Sequence, residues 1–388
     1  MPAVKTVTQR YSPNNNSLRL LDQFRHMIND CLIISLQENA ASLKTLSLKA
    51  YRRLAHYEVM SYYKLCAISR AAGLLKNYRK ARRRGLRPKT PYTTRLQLTV
   101  CYGFKVKGGK LHFSFKPRNP IIIPLNKHTV EVLSGSGQIV RSITLTAGTV
   151  GIAFSKETVA VEPTELVGID NNLNNITIAD SQGNVTRYDV EKATKIKANY
   201  RAVKSCFTRN DARIRRKLFQ KYGQKQRDKT SQILHNISKR IVEGAKVRRH
   251  GIVMETLKHI RNLYRKGNGQ ARVCRAKMNG GSFRGLQRQI EYKARWEGVK
   301  VIYVPTGYTS RRCAVCGSSV KPEERRTLTC PQHGTVDRDV NAARNILARG
   351  KRFVPYAPAP EAMVQELSQE AILKVDVGEL TTGRGPKS

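Results

Sequence analysis

ELVGIDNNLNNITIADSQGNVTRYDV, residues 165–190, decides the fold. Its first apolar run, LVGI, ends in a carboxylate, Asp170. A turn rich in asparagine leads to ITIA, Gly183 sits in a second turn, and VTRYDV follows. Short apolar or alternating runs bounded by Asn, Asp and Gly read as strands, so this stretch predicts a three-stranded meander. Downstream the period changes. Residues 192–245 are dense in Lys and Arg and carry Ile214, Leu218, Ile233, Ile237 and Ile241 on apolar faces of long helices. GIVMETL at 251–257 reads as a short buried strand, 284–297 as a helix and VKVIYV at 299–304 as a strand. DVNAARNILARG at 339–350 reads as a helix, with Gly350 as its stop signal. Strands alternating with long helices predict an α/β domain on a sheet of mixed direction.

Upstream the texture differs. Residues 3–11 read as a strand, and SPNNNS at 12–17 as a turn in which Asn16 or Ser17 caps a helix. Leu21, Phe24, Ile28, Cys31 and Leu32 form one face of that helix, and a second helical stretch runs from about Leu43 to Tyr78. The basic run KNYRKARRRGLRPKTP at 76–91, broken by Gly85, Pro88 and Pro91, reads as a phosphate-contacting loop between domains. From Thr94 to Ala160, LQLTVCYGFKV, KLHFSFK, NPIIIPL, HTVEVLS, VRSITLTA and TVGIAFS predict a small antiparallel sheet or barrel. Residues 354–388 read as a mobile, dispensable tail.

Composition narrows the function. The chain has 388 residues, with 72 Lys and Arg against 27 Asp and Glu, a net charge of +45. A body this basic attracts polyanions, so nucleic acid is the expected partner and a lone metabolic enzyme is disfavoured. MPAVKTVTQRY has no apolar leader core, and no apolar run approaches the ~18–20 residues that span a bilayer. The expectation is a cytoplasmic, nucleoid-associated protein with no membrane partner. Most of the eight cysteines stand singly among apolar residues, as buried thiols do in a reducing compartment.

Two constellations carry chemistry. Cys313 and Cys316, then Cys330 and His333, form two knuckles with two-residue spacers, each followed by a glycine, Gly317 and Gly334. Four soft ligands in this pattern point to one tetrahedral, structural Zn²⁺. The second constellation is dispersed: Asp170 and Glu255 end apolar strands and Asp339 opens a helix. A carboxylate at a buried strand end is costly unless paired or holding a cation. Three could converge on Mg²⁺, two ions serving phosphodiester hydrolysis, with Asp180 and Asp337 as rival candidates on composition alone.

Sequence context favours the first three. GIDNNLNNITIA, the basic helical pair and IVMETL resemble the first two motifs of RuvC-type nucleases. EYKARWEGVKVIYV, YTSRRCAVCG and CPQHGTVDRDVNAARNIL resemble the C-terminal signature of the TnpB family, related to compact type V CRISPR effectors. The resemblance is specific from about Glu165 to Ala348. It implies an RNA-guided DNA endonuclease that binds a guide RNA from its transposon end, recognises a short motif beside a double-stranded DNA target and cuts it. Carried over, Asp170, Glu255 and Asp339 are catalytic and hold two Mg²⁺, while Cys313, Cys316, Cys330 and His333 hold Zn²⁺. His333 departs from a frequent cysteine, and Asn171 and Asn172 depart from an apolar residue and glycine. The family also implies a monomer in the RNA complex.

The implied domains are a first strand of a wedge β-barrel at 1–14, a helical recognition domain at 15–91 and the wedge barrel at 92–162. A RuvC/RNase H-like nuclease domain follows at 163–305 and 336–353, with a zinc ribbon inserted at 306–335. Phosphate and base contacts are expected from Tyr78, Arg79, Lys80, Arg82, Arg83 and Arg84, and from Arg215 and Arg216. Tyr62, Tyr63 and Tyr92 are further stacking candidates, though each is more simply a core or surface residue. The rival functions are a nuclease-silent RNA-guided DNA-binding regulator, a guide-free nuclease or transposase, and a structural RNA-binding protein.

Overall fold

The computed structural model describes residues 3–352 except 41, 208–211, 258–259, 266, 270 and 324–325. The expected tail at 354–388 lies outside the described residues. The chain divides into two compact units between Glu157 and Thr158.

The first unit runs β1 (Ala3–Arg10), α1 (Asn15–Gln37), α2 (Leu43–Ala50), α3 (Ser61–Arg83), β2 (Gln97–Val100), β3 (Phe104–Lys107), β4 (Lys110–Lys116), β5 (Asn119–Pro124), α4 (Lys127–Leu133), β6 (Gln138–Thr146) and β7 (Thr149–Lys156). Hydrogen bonds group its strands into two sheets, ordered β1-β7-β6-β2 and β3-β4-β5. The predicted face of α1 is buried at Leu21, Phe24, Ile28, Cys31 and Leu32.

Four local readings change. The α1 cap is Asn14, whose side chain accepts from the Ser17 N–H, rather than Asn16 or Ser17. The second helical stretch is two helices, because the chain turns at 51–60, where the Tyr57 hydroxyl donates to Asp30 at 2.6 Å. HTVEVLS is helix α4, not a strand: the Asn126 side chain accepts from the Thr129 N–H and starts it. The basic run at 76–91 begins as the last two turns of α3, and becomes loop only at Arg84 and Gly85, where φ is +74°.

The second unit runs β8 (Glu165–Asn171), β9 (Asn175–Ala179), β10 (Val185–Asp189), α5 (Glu191–Ser205), α6 (Ala212–Val247), β11 (His250–Glu255), α7 (Arg272–Gly280), α8 (Phe283–Glu297), β12 (Val301–Val304), β13 (Lys321–Pro322), β14 (Thr327–Cys330), β15 (Gly334–Asp337) and α9 (Arg338–Arg352). The predicted meander and mixed sheet are present, in the order β10-β9-β8-β11-β12. β11 lies parallel to both β8 and β12, while β9 is antiparallel to β8 and β10.

One sheet face packs Val167, Ile169, Ile252 and Met254 against Ile237, Ile241 and Val242 of α6 and Ile290 and Ala294 of α8. The opposite face packs Val253, Ile302 and Val304 against Ile346 of α9. Gly350 does not stop α9; it lies inside the helix, pressed on Val253, where a Cβ would come within 2.5 Å. Gly168 is tighter still: a Cβ there would lie 2.2 Å from the Ala343 carbonyl oxygen. The backbone of α9 therefore rides directly on β8. Gly168→Ala should cost about 1–3 kcal/mol or more of stability by overpacking, read as a lowered denaturant midpoint. An unchanged midpoint would mean α9 is not seated on this strand.

Candidate active site

Side chains alternate along a strand, and that settles which way the acids face. Val167 and Ile169 point to the α6 and α8 face, so Gly168 and Asp170 point to the α9 face. The same parity in β11 places Val253 and Glu255 toward α9. Parallel register pairs Met254 with Ile169, which brings Glu255 and Asp170 to adjacent strand ends. α9 delivers Asp339 in its first turn to the same corner. Asp170 and Asp339 are only 9% and 7% exposed.

Each carboxylate has a neutral hydrogen-bond donor. The Asn172 amide donates to Asp170 Oδ2 at 2.6 Å, the Thr309 hydroxyl to Glu255 Oε1 at 2.6 Å and the Asn175 amide to Asp339 Oδ2 at 2.9 Å. Arg326 Nη1 lies 3.8 Å from Asp339 Oδ2 and its side chain is 56% exposed. Burial, then the charges of Glu255 and Asp339, push the Asp170 carboxyl up to about 7, against the pull of Asn172 and Arg338. Burial also raises Glu255, against Thr309 and Arg349.

The sign of the pH effect follows. A carboxyl whose folded value lies above its unfolded 3.8 holds its proton longer in the folded state. Its contribution is complete below about pH 4 and is lost as pH rises through about 7. In chelator, Asp170→Asn should match wild type near pH 4 and exceed it at pH 8, by at most about 4 kcal/mol. Paired thermal melts measure this, and a pH-independent difference would contradict the buried, like-charged environment.

Asp180 and Asp337 are committed elsewhere. Asp180 Oδ1 accepts from the backbone N–H groups of Gln182 and Asn184, closing a turn. Asp337 Oδ1 accepts from the N–H groups of Asp339 and Val340, starting α9, while its Oδ2 pairs with Arg187 at 2.6 Å.

The ribbon brings its four sequence-predicted ligands together. One ligand atom from each of Cys313, Cys316, Cys330 and His333 lies within 4.8 Å of all the others. Among the described residues the acids do not form so tight a set. Cys316 Sγ is 3.5 Å from Cys330 Sγ, and His333 Nδ1 is 3.5 and 3.7 Å from the sulfurs of Cys330 and Cys313. Gly317 and Gly334 turn the knuckles with φ of +74° and +65°. Cys313 and Cys330 are buried with Val320 and Leu328 in a small core of their own.

The helix motif at 339–346 has a role that sequence reading missed. Asn341 and Asn345, one turn apart, grip the backbone leading into the ribbon. Asn341 donates to the Arg312 carbonyl and accepts from the Ala314 N–H, each at 2.8 Å. Asn345 donates to the carbonyls of Thr309 and Arg312 at 2.8 and 2.7 Å. Their i, i+4 spacing on a helix was the available signal. Thr309 and Asn175 lie within the motifs YTSRRCAVCG and GIDNNLNNITIA but were given no role, and nothing local in the sequence marks Arg326.

The expected nucleic-acid contacts are split in character. Arg79 donates to the Ala40 carbonyl at 3.2 Å and so braces α3, while Lys80, Arg82, Arg83 and Arg84 are exposed. Arg82 lies over the Tyr78 ring at 6.0 Å. Tyr63 is fully buried and Tyr92 is exposed. Arg215 stacks on Phe219 at 4.9 Å and Arg216 is exposed on α6. Cys206 and Cys274 are exposed, unlike the buried Cys31 and Cys66, which corrects the uniform reading of the single thiols.

A family model described as "Cas12f1-like, TNB domain" matches residues 283–346, from α8 through the ribbon into α9. A TnpB-like protein of Methanocaldococcus jannaschii is 31% identical over 262 residues, covering 64% of this chain and 93% of that one. The chain belongs to the TnpB family. Another relative of this TnpB protein is the CRISPR-associated endodeoxyribonuclease Cas12f2 of a Micrarchaeota archaeon. It is 36% identical over 124 residues, 29% of this chain and 22% of that one. The fold of a Cas12f1 chain, from the cryo-EM structure of a Cas12f1-sgRNA-target DNA complex, matches with a TM-score of 0.60. That match has 15% identity over 84% of this chain and 81% of the other. No helix among the described residues is long and apolar enough to cross a membrane.

Proposed function

We propose that this TnpB protein is an RNA-guided DNA endonuclease whose catalytic acids are Asp170, Glu255 and Asp339. The observation that carries the reading is the meeting of the three acids from β8, β11 and α9 in one largely buried corner. Like charges there are unstable unless protonated or neutralised by cations. Their hard oxygens fit Mg²⁺, which prefers carboxylates. Two Mg²⁺ bound there would supply an activated water and charge stabilisation for the leaving oxygen of a phosphodiester. The chain itself fixes the carboxylates, through donors from Asn172, Thr309 and Asn175, and offers Arg326 to a phosphate oxygen.

Zinc is the ion proposed for the ribbon. Zn–S and Zn–N bonds of about 2.3 and 2.0 Å give tetrahedral edges of about 3.5–3.8 Å. Three of the ligand separations, 3.5 to 3.7 Å, fall in that range, and all four ligand atoms lie within 4.8 Å of one another. With four protein ligands the site is closed and structural. The net charge of +45 supports a guide RNA and a double-stranded DNA target as partners, bound by one protein chain. The Cas12f1 relative in fold was seen with both nucleic acids. In this reading the sheets of the first unit form the wedge barrel, and α1–α3 the recognition lobe.

The test is cleavage of a plasmid library with a randomised flank beside one fixed target. The protein is coexpressed with its downstream locus. Mg²⁺-dependent cuts beside one enriched flank support the proposal and give the recognition motif. Retention of the target plasmid without cutting replaces it with the nuclease-silent regulator, and cutting without RNA replaces it with a guide-free nuclease.

A further inference from the structure

Asp170, Glu255 and Asp339 share an arrangement that charge alone does not require. Each gives one carboxylate oxygen to one neutral side-chain donor, at 2.6, 2.6 and 2.9 Å. None of these three donors is a cation, although Arg326 Nη1 lies 3.8 Å from the same Asp339 Oδ2. The donors come from three places: Asn172 just beyond β8, Asn175 opening β9, and Thr309 on the approach to the ribbon. Thr309 and Asn175 are themselves 6% and 7% exposed, so their rotamers are fixed by packing.

We propose that Asn172, Asn175 and Thr309 are positioning residues that lock one oxygen of each acid and leave the other for a divalent cation. The inference rests on the acid corner being the metal site of the proposed nuclease. A free carboxylate rotates about its last bond and can chelate a cation through both oxygens or turn away. Fixing one oxygen removes that freedom before the ion arrives, and outer partners of metal ligands commonly change affinity 10–100-fold.

Thr309 carries the most specific consequence. Its hydroxyl holds Glu255, and its carbonyl accepts from Asn345, six residues along the helix that carries Asp339. Four residues later the chain reaches the first ribbon ligand, Cys313. The orientation of Glu255 is thus set by the segment that α9 holds and the ribbon anchors. Asn172 lies two residues beyond Asp170, so the turn after β8 itself supplies the grip on the first acid.

The test uses the full-length protein and Mn²⁺ alone as the probe. Binding is measured by calorimetry, with Asp170→Ala as the background for sites elsewhere. Thr309→Val keeps the shape and removes the donor; Thr309→Ser keeps the donor. The expected result is about tenfold weaker Mn²⁺ binding for Thr309→Val and recovery of most of it in Thr309→Ser. The Mg²⁺ concentration for half-maximal cleavage should shift in the same order, and metal-free melting temperatures should change little. Wild-type Mn²⁺ affinity in Thr309→Val overturns the inference, as does a Thr309→Ser as weak as Thr309→Val. If the protein proves not to cut DNA but Mn²⁺ binding follows the hydroxyl, the nuclease reading falls and the positioning role stands. If it cuts and Thr309→Val behaves as wild type, the reverse holds.

Discussion

Asp170→Ala should cut target DNA at least about 10³-fold more slowly than wild type, because it removes several kcal/mol of transition-state charge stabilisation. Guided binding should persist. The loss should not be a folding defect, since removing a buried and reluctant carboxylate relieves repulsion with Glu255 and Asp339. Glu255→Gln should behave alike, because the amide keeps the shape and can still meet Thr309. The measurement is single-turnover cleavage with saturating guide and Mg²⁺, alongside a gel-shift affinity for the same target. Cleavage within tenfold of wild type in both variants would remove the acids from the chemistry. Lost binding in both would instead make the corner structural.

Cys330→Ser should lose the ribbon metal and most cleavage, while the five-stranded sheet stays folded. Structural zinc contributes on the order of 10 kcal/mol to modules too small to fold on an apolar core. Among the described residues this ribbon's core is Cys313, Val320, Leu328 and Cys330, with Val336 alongside. Elemental analysis should find one zinc per wild-type chain and none in the variant. Hydrogen exchange should rise across 310–336 and remain low in β8 and β11. The activity loss follows from Thr309: once the segment after β12 frays, Glu255 loses its hydroxyl donor. Protected ribbon amides in a metal-free variant would show that the ligands are not what folds it.

The five-stranded sheet was legible because its signals are local. LVGI, ITIA and IVM are short apolar runs, and the first and last end in Asp170 and Glu255; that the two acids share a face follows from the packing and register of their strands. The ribbon was legible for a similar reason: four ligands at short spacing need no tertiary knowledge. HTVEVLS misled because its β-branched residues suit a strand, while one capping side chain, Asn126, decides for helix. Gly350 misled because glycine near a helix end usually marks a stop, whereas here it answers the close approach of Val253. Thr309, Asn175 and the pair Asn341 and Asn345 act across 27 to 164 residues of chain. The spacing of Asn341 and Asn345 puts them on one helix face, but nothing in a single sequence names the distant partners of any of these contacts. The exposed arginines of α3 and α6 were legible as charge, and a sequence does not say which of them meet phosphate.

The basic hairpin of α5 and α6 has a practical side. Among the described residues, α6 enters the sheet core from Leu234 to Ala245, with Ile233 packed against it. The turns before Ile233 add length and charge. Removing the turns of α6 before Thr230 together with the residues of α5 beyond Tyr200 gives up the Arg201 bond to the Ala276 carbonyl, and should leave Mn²⁺ binding in place while lowering affinity for nucleic acid. The chain could be shortened there, with the lost positive charge added back elsewhere.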